Sequence, residues 1–308
     1  MPAAAFQRAA ETSSGAPNRW ICGSPTEVIP MPTTLFEDPQ GRRKQLGSCV
    51  ELPHWADCPG DRPAFVGADL KPETLHAAFR AGFFPWPPAT DHWRAWHAEQ
   101  WGADLEAGRI RTVGSATDFA LPWWAPDPRG VLFTGRARMS RRLRPYLRQA
   151  GWTATIDRAT TAVIGRCGPG RAGESWISPE VAAAYHELAE AGIVHSLEIW
   201  SDDDLVGGLF GVLVGGVFSV ESGFTAAPNA GHVATLDLAA RLAEAGGVLI
   251  DVHMTSPHYA KHGAEDIPRE RFHEVLTATA DRPVELSPER KPVGSLVDFY
   301  LSRTSSSE

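Results

Sequence analysis

The clearest pattern of apolar and polar positions lies in the second half of the chain. Three strand-like segments follow one another: "VHSLEIW", "LVGGLFGVLV" and "VFSVESGF". A turn at Asp202–Asp204 separates the first from the second, and Gly215–Gly216 separates the second from the third. Short turns of this kind join antiparallel neighbours, so the sequence predicts an antiparallel meander.

Helical periodicity brackets this meander. "SWISPEVAAAYHELAEAGI" predicts a helix with Ser178 as N-cap, Pro179 at its first position and Gly192 as terminator. "AGHVATLDLAARLAEAGG" predicts a second helix, capped by Asn229, and "VLIDVHM" then returns as a strand. Helices packed on a mostly antiparallel sheet make an α+β fold, and this order is the core of acetyltransferase-like (GNAT-like) acyl-transfer folds.

The pattern is weaker in the first half. Residues 1–60 are rich in Pro, Ser, Ala and Gly without a sustained period, which predicts a disordered or loosely packed extension. "DLKPETLHAAFRAGFFPWPP" predicts a helix capped at or near Asp69 that ends before Pro85. The predicted units are the extension, a small N-terminal α/β domain at 61–135 with an insertion of one helix and a short strand at about 88–121, an acetyltransferase-like domain at 136–285, and a C-terminal tail at 286–308.

Composition narrows the class of protein. The 308 residues are 43% hydrophobic and 21% charged, and no apolar run approaches the roughly 20 residues that span a membrane. The first residues lack a cationic start followed by an apolar core, so no secretory signal is expected. The four cysteines, at positions 22, 49, 58 and 167, form no C-x-x-C pair, which favours a reducing cytoplasm.

The charge is unevenly distributed. A net charge of −8 argues against a protein that coats nucleic acid by bulk charge. Yet "GRARMSRRLRPYLR" carries a dense group of arginines, in a helix for which Ser140 is the candidate N-cap. These are Arg136, Arg138, Arg141, Arg142, Arg144 and Arg148. Such a patch either selects a polyanion locally or is a solvated helix face, and the sequence leaves both open.

Two acids mark the ends of predicted strands. Asp251 and His253 are two residues apart, and in a regular strand they would leave the sheet on the same face. Glu221 lies near the end of the third meander strand. The pair at 251 and 253 is therefore a catalytic pair, half of a metal site, or a satisfied pair in a core.

Several chemistries are weakened by what the chain lacks. Asp251, His253, His258 and His262 fall within twelve residues, but their spacing matches no compact zinc pattern, so no metal is expected. No G-x-S-x-G elbow accompanies a candidate serine nucleophile. "PNAGHVATL" has one glycine and no basic residue where a coenzyme A pyrophosphate would bind, so no cofactor is expected.

Six segments in order resemble one family. They are "ADLKPETLHAAFRAGFFPW", "WWAPDPRGVLF", "SWISPEVAAAYHELAEAGIVHSLEIW", "LVGGLFGV", "VFSVESGF" and "LIDVH…HGAEDIPRERF", which cover roughly residues 65–275. Together they resemble the leucyl/phenylalanyl-tRNA–protein transferases. The resemblance implies a cytoplasmic, monomeric aminoacyltransferase. It would move Leu or Phe, with Met as a further candidate, from charged tRNA to the α-amine of a protein that begins with Arg or Lys, forming an N-degron.

The resemblance also implies roles for individual residues. Asp251 would orient the attacking amine or receive its proton, and Glu221 would hold a cationic amino group. Trp86 and Trp176 would stack on the terminal adenosine. The aminoacyl pocket would consist of Leu209, Phe218, Gly223 and Leu238. The acceptor-stem backbone would lie against Arg138, Arg141, Arg142, Arg144 and Arg148.

The chain departs from the family pattern around the implied site. His253 stands where the family usually has Gln, and it can act as a base near neutral pH. "ESMF" has become "ESGF", so Gly223 replaces a methionine and should reshape the pocket. "NASK" has become "NAGH" at His232, and "SLGA" has become "KHGA" at His262. Three hypotheses stay open: the family reaction, transfer to a small-molecule amine, and a tRNA- or peptide-binding module without catalysis.

Overall fold

The structure is a computed structural model that describes the backbone of residues 34–37 and 43–46, and residues 50–168 and 175–305. Most of the predicted extension, with Cys22 and Cys49, lies outside the described residues. Within it, Thr34–Glu37 (β1) pairs antiparallel with Arg43–Leu46 (β2). The expectation of loose packing is wrong for residues 50–60, because Trp55 stacks on His273 with ring centroids 4.1 Å apart and Cys58 is buried.

A four-stranded sheet forms the smaller layer. Its strands are Phe65–Gly67 (β3), Phe84–Pro85 (β4), Arg111–Val113 (β5) and Pro122–Trp124 (β6), in the order β4-β6-β3-β5. Pro72–Arg80 (α1) and Asp91–Glu106 (α2) accompany it. The helix that ends before Pro85 is thus confirmed, as are the helix and strand at 88–121. That segment is not a detached insertion, however, since β5 pairs in parallel with β3.

An eight-stranded sheet forms the larger layer, in the order β13-β7-β12-β11-β10-β9-β8-β14. Its strands are Arg129–Phe133 (β7), Thr153–Ile156 (β8), Val194–Ser201 (β9), Asp204–Val214 (β10), Val217–Thr225 (β11), Leu249–His253 (β12), Glu265–Ile267 (β13) and Lys291–Pro292 (β14). All neighbours are antiparallel except β11 and β12, which are parallel. The predicted meander, and the mostly antiparallel sheet, are confirmed.

The predicted unit boundaries do not coincide with sheet boundaries. β7 was expected in the N-terminal domain but lies between β12 and β13 of the larger sheet. β14 was expected in a tail but pairs with β8. A continuous core explains the first difference, because buried side chains of both layers, such as Phe65 and Phe210, belong to one cluster.

Seven of the helices in the described part of the chain accompany the larger sheet. They are Leu143–Gln149 (α3), Thr160–Cys167 (α4), Pro179–Glu190 (α5), Ala230–Glu244 (α6), Pro257–Ala260 (α7), Arg269–Thr279 (α8) and Ser295–Ser305 (α9). None of the helices within 50–168 and 175–305 is long and apolar enough to cross a membrane.

Helix ends test the capping predictions. Ser178 caps α5, since its Oγ accepts a hydrogen bond from the Val181 N–H at 3.3 Å, and Gly192 follows with φ +70°. Asn229 is the N-cap of α6, as predicted. Its backbone is left-handed (φ +72°), and its side chain makes no capping hydrogen bond. Ser140 is not the N-cap of α3, which begins three residues later at Leu143.

Side chains of β10 alternate between the two faces of the larger sheet, as strand geometry requires. Phe210 and Val212 enter the core shared with α5 and the smaller sheet. Leu209 enters a second core, which is built with α3, α6 and α9. Both faces are therefore covered, and a cavity requires a local break in the sheet.

That break lies between β11 and β12. Their parallel pairing covers Val217–Ser219 and Leu249–Asp251 and ends there, while β11 continues to Thr225 along β10. Beyond Asp251 the β12 strand shifts register against β7. The two strands separate from this point, which creates room between their carboxyl ends.

Candidate active site

A cavity of about 760 Å³ opens between the diverging ends of β11 and β12. Its walls come from β10, β11, the first turns of α6, the β12–α7 segment and β4 of the smaller sheet. Most of the wall is apolar. The side chains that matter for chemistry are Trp86, Trp176, Leu209, Glu221, His253 and His258.

Glu221 brings a carboxylate to this wall from β11. Its side chain is 1% exposed. The Tyr185 hydroxyl donates a hydrogen bond to Oε2 at 2.6 Å, and His253 Nε2 lies 3.1 Å from Oε1. A buried carboxylate is costly unless it is hydrogen-bonded, and here two partners hold it in one orientation.

The imidazole of His253 is fixed from three directions. The register shift in β12 places His253 in a left-handed conformation, with φ +62°. Its backbone N–H donates to Asp251 Oδ1 at 2.9 Å, and its ring stacks on Phe84 with centroids 3.7 Å apart. Strained backbone of this kind persists only where the surroundings hold it, and such positions concentrate at functional sites. Asp251 and His253 are thus neighbours through a bulge, not through regular strand alternation.

Asp251 lies beneath the cavity and does not line it. Its side chain is fully buried, and both oxygens bind Arg129, at 2.8 Å to Nε and 2.6 Å to Nη2. Ser219 Oγ donates to Oδ2 at 2.9 Å. With its lone pairs used in this way, Asp251 touches His253 but has no access to a molecule in the cavity.

The charges of this cluster bias one another. Burial alone would raise the pKa of Asp251, but the Arg129 guanidinium and His253 hold it well below its ordinary value. Burial alone would lower the pKa of His253, but Asp251 and Glu221 outweigh it and raise that pKa. Burial, with Glu221 beside it, raises the pKa of Tyr185 well above its ordinary value. The two carboxylates therefore shift His253 toward its protonated form.

The residues expected to form the aminoacyl pocket divide into two groups. Leu209 and Gly223 line the cavity and face each other across β10 and β11. Phe218 and Leu238 do not reach it: both are fully buried in the core under α6. The structure also brings Trp86 and Trp176, far apart in the sequence, to this one cavity.

The arginine-rich segment lies at the surface near the cavity. Arg138, Arg141, Arg142 and Arg148 are exposed, and Arg144 is half-buried. The Arg138 backbone N–H donates to the carbonyl of His262, next to the wall formed by α7. These side chains therefore place positive charge at the protein surface.

Comparison with known proteins identifies the family. The family model described as leucyl/phenylalanyl-tRNA protein transferase matches residues 131–277. The chain is 39% identical to the leucyl/phenylalanyl-tRNA–protein transferase of Chromohalobacter salexigens over 72% of this chain and 77% of the relative. The protein of the same name from Azotobacter vinelandii is 39% identical over 71% of this chain and 85% of the relative. The chain belongs to the leucyl/phenylalanyl-tRNA–protein transferase family. It is an aminoacyltransferase.

Sequence reasoning missed two residues of the charged cluster. Arg129, 1% exposed, holds Asp251 and lies over the rings of Phe84 and Phe272. Tyr185 holds Glu221 from the buried face of α5. The sequence did hold a signal for Arg129, because an arginine that begins the apolar strand "RGVLF" is expected to be buried and a buried charge requires a partner.

Three histidines meet beside the cavity, and one of them, His258, lines it. His232, His258 and His262 each offer a ring nitrogen within 4.8 Å of the other two. Two of them, His258 and His262, belonged to the group weighed as metal ligands in the sequence. Asp251 and His253, the other two, lie in the ion-pair cluster instead, and His232 takes their place.

Proposed function

We propose that the chain transfers a leucyl or phenylalanyl group from charged tRNA to the α-amine of a protein that begins with Arg or Lys. The observation that carries the proposal is the Glu221–His253 pair on the wall of a mostly apolar cavity. A carboxylate and an imidazole in contact can move a proton, and apolar walls suit an apolar aminoacyl side chain.

The donor end has matching surfaces. Leu209, Val220 and Val252 supply aliphatic wall for a leucyl or phenylalanyl side chain. Trp86 and Trp176 supply aromatic faces on which the terminal adenosine can stack. The exposed arginines from Arg138 onward suit the phosphates of the acceptor stem, a contact that tolerates sequence variation.

The acceptor end has a matching charge. The Glu221 carboxylate faces the cavity and attracts the ammonium group of an incoming N-terminus. An Arg or Lys side chain brings a second positive charge, which an acidic protein of net charge −8 favours.

Two residues carry out the proton transfers of the reaction. The amine nitrogen attacks the ester carbonyl, a C–N bond forms, the bond to the ribose 3′ oxygen breaks, and one proton passes from nitrogen to that oxygen. We assign acceptance of the amine proton to Glu221. His253 donates a hydrogen bond to the developing oxyanion and gives a proton to the leaving oxygen, and the proton held by Glu221 then replaces it across the 3.1 Å contact between Glu221 Oε1 and His253 Nε2. Asp251 and Arg129 are positioning residues, because they act through His253.

The arrangement of β11 and β12 supports an acetyltransferase-like fold. Two parallel strands that pair at their starts and separate afterwards leave a substrate cleft between them. Aminoacyl ester chemistry needs no cofactor in that cleft. We propose a monomer in the cytoplasm, a reducing compartment that suits the buried thiols of Cys58 and Cys167.

The test is a transfer assay with purified protein. tRNA charged with labelled Leu, Phe or Met is incubated with a peptide that begins with Arg or Lys, beside the same peptide acetylated at its α-amine. Label on the free peptide alone, lost by about 100-fold or more in Glu221→Gln, is the expected result. Label on a small amine instead of the peptide would favour the small-molecule acceptor. Binding of charged tRNA without any transfer would favour the non-catalytic module.

A further inference from the structure

We propose that His232, His258 and His262 form a binding site for one Zn²⁺ ion beside the cavity. The site is separate from the proposed transfer chemistry and does not depend on it. His232 comes from the first turn of α6, His258 from α7, and His262 from the turn after α7. One ring nitrogen from each lies within 4.8 Å of the other two. Imidazole nitrogen is a preferred ligand of zinc, and three protein ligands with one open position make a common zinc geometry.

The hydrogen bonds around the rings indicate which nitrogen of His258 and of His262 keeps a lone pair. The Thr235 hydroxyl donates to the Gly231 carbonyl, so at His258 Nε2, 3.0 Å away, it accepts. His258 then carries its proton on Nε2 and has a lone pair on Nδ1. His262 Nδ1 faces the Arg138 carbonyl at 3.4 Å, which leaves the lone pair of His262 on Nε2. Backbone carbonyls and hydroxyls commonly orient zinc-bound imidazoles in this manner.

The remaining contact shows how far the rings must move. His232 Nδ1 and His262 Nε2 lie 2.8 Å apart, as a hydrogen-bonded pair. Two nitrogens bound tetrahedrally to one zinc at about 2.0–2.1 Å are roughly 3.3 Å apart. Zinc would replace this hydrogen bond after a shift of a few tenths of an ångström and a change of tautomer at His232. The wider separations, of up to 4.8 Å, must shorten as well, and the rings of His232 and His258, now stacked with centroids 4.4 Å apart, must turn out of their parallel arrangement.

The three rings lie in partly or fully buried surroundings: His262 is 3% exposed, and His232 and His258 are half-buried. Metal binding requires each ring to keep one nitrogen lone pair free of a proton. The charged side chain of this segment is Lys261, which is exposed and therefore screened by solvent.

The open position points to the cavity. His258 lines the cavity, whereas His262 is 3% exposed behind it. An ion held by the three rings would therefore keep its fourth position for water or for a ligand within the cavity. It would also join the start of α6 to the β12–α7 segment, so its binding should raise the melting temperature.

The test uses full-length protein without a polyhistidine tag, stripped with a chelator and dialysed against micromolar Zn²⁺. We expect one zinc per chain and a higher melting temperature. Co²⁺ should give the intense visible absorption of a tetrahedral ion, and Zn²⁺ should abolish it. His258→Gln and the double variant His232→Lys with His262→Leu, which place the family's residues at 232 and 262, should each lower zinc affinity by at least about tenfold. His92→Ala, in the exposed part of α2, is the matched control and should bind as the parent does.

Two outcomes would overturn the proposal. One is a zinc content far below one per chain, with no Co²⁺ absorption, in the unmodified protein. The other is undiminished zinc binding by variants that circular dichroism shows to be folded, since the ion would then lie elsewhere. The unmodified protein alone decides the first outcome, so a variant that fails to fold leaves the test intact.

Discussion

Arg129 and Asp251 bind each other through two parallel hydrogen bonds, of 2.8 and 2.6 Å, with 1% and 0% of their side chains exposed. Arg129 Nη1 also donates to the Gly82 carbonyl at 3.2 Å, in the turn after α1. The pair therefore joins β7 and β12 of the larger sheet to the smaller one. Because His253 hydrogen-bonds to the same carboxylate, the ion pair also fixes the candidate active site.

Asp251→Asn should destabilise the protein strongly. The change removes one partner of a buried pair and leaves the Arg129 charge uncompensated, which costs about 3–5 kcal/mol in the free energy of unfolding. Urea denaturation measures this cost. Asp281→Asn is the matched control, since Asp281 pairs with Arg80 at the surface and is 87% exposed. It should cost less than about 1 kcal/mol. Equal losses would mean that the buried pair contributes no more than a surface pair.

His253→Gln should change how stability depends on pH. The folded-state pKa of His253 is raised above the unfolded value of about 6.5. Its contribution is therefore fully present below about pH 6.5 and is lost as the pH rises through the folded pKa. The parent should therefore be more stable than the variant by a margin that decreases from about pH 6 to about pH 9. The margin is the difference between their free energies of unfolding. Parallel profiles would contradict the raised pKa.

Tyr185→Phe should impair transfer more than folding. The hydroxyl donates a charge-assisted hydrogen bond to Glu221 Oε2 at 2.6 Å, and such bonds contribute about 1.5–3 kcal/mol. Without it the carboxylate is less firmly held, so kcat should fall about 10- to 100-fold while circular dichroism stays unchanged. Tyr146→Phe, at the exposed bond to the Pro228 carbonyl, is the control and should transfer normally. An unchanged kcat in Tyr185→Phe would mean that transfer does not require Tyr185 to orient Glu221.

Gly223→Met should shift donor preference toward the smaller side chain. A Cβ at this position would lie 3.1 Å from the Gly208 carbonyl oxygen and 3.3 Å from Leu209 Cβ, so a small strand movement accommodates it. The new side chain would fill part of the cavity. The ratio of kcat/KM for Phe-tRNA to that for Leu-tRNA should fall about tenfold, which corresponds to about 1.4 kcal/mol. Gly165→Ala, with no atom near its Cβ, controls for loss of a glycine. An unchanged ratio would place the aminoacyl side chain elsewhere.

Neutralising the exposed arginines should weaken tRNA binding and its salt dependence together. Arg138→Ala with Arg142→Ala removes two positive charges that are candidates for binding phosphates. The slope of log K against log salt should then become shallower by roughly 0.7–0.9 for each phosphate that is no longer neutralised. Fluorescence anisotropy with labelled tRNA at several salt concentrations measures this. Arg271→Ala with Arg282→Ala, on α8 and the turn beyond it, is a control of equal charge. The same change of slope in both double variants would mean that the salt dependence reflects the net charge of the protein and not contacts at Arg138 and Arg142.

Local signals predicted the elements where propensity and packing agree. The meander from Val194 to Thr225 carries strand periodicity and turn residues that suit only hairpins, and α5 carries its cap, proline and terminating glycine. The helix expected after Ser140 forms, but it begins at Leu143, because tertiary contacts outweighed the local cap. Ala137 and Met139 are buried, and the Arg138 N–H is bonded to His262. That segment is held in place by packing before α3 begins.

The sequence by itself determined the order of strands and helices, the family, and the presence of acids and a histidine near strand ends. Periodicity and short motifs are local, so they can be recognised in the amino-acid sequence alone. Only the tertiary structure decided that Asp251 is buried against Arg129, that Glu221 is held by Tyr185, and that three histidines meet beside the cavity. Residues 122 positions apart in the chain, as Arg129 and Asp251 are, meet because separate strands become neighbours in the sheet. Burial then decides which charges are paired and which face a substrate.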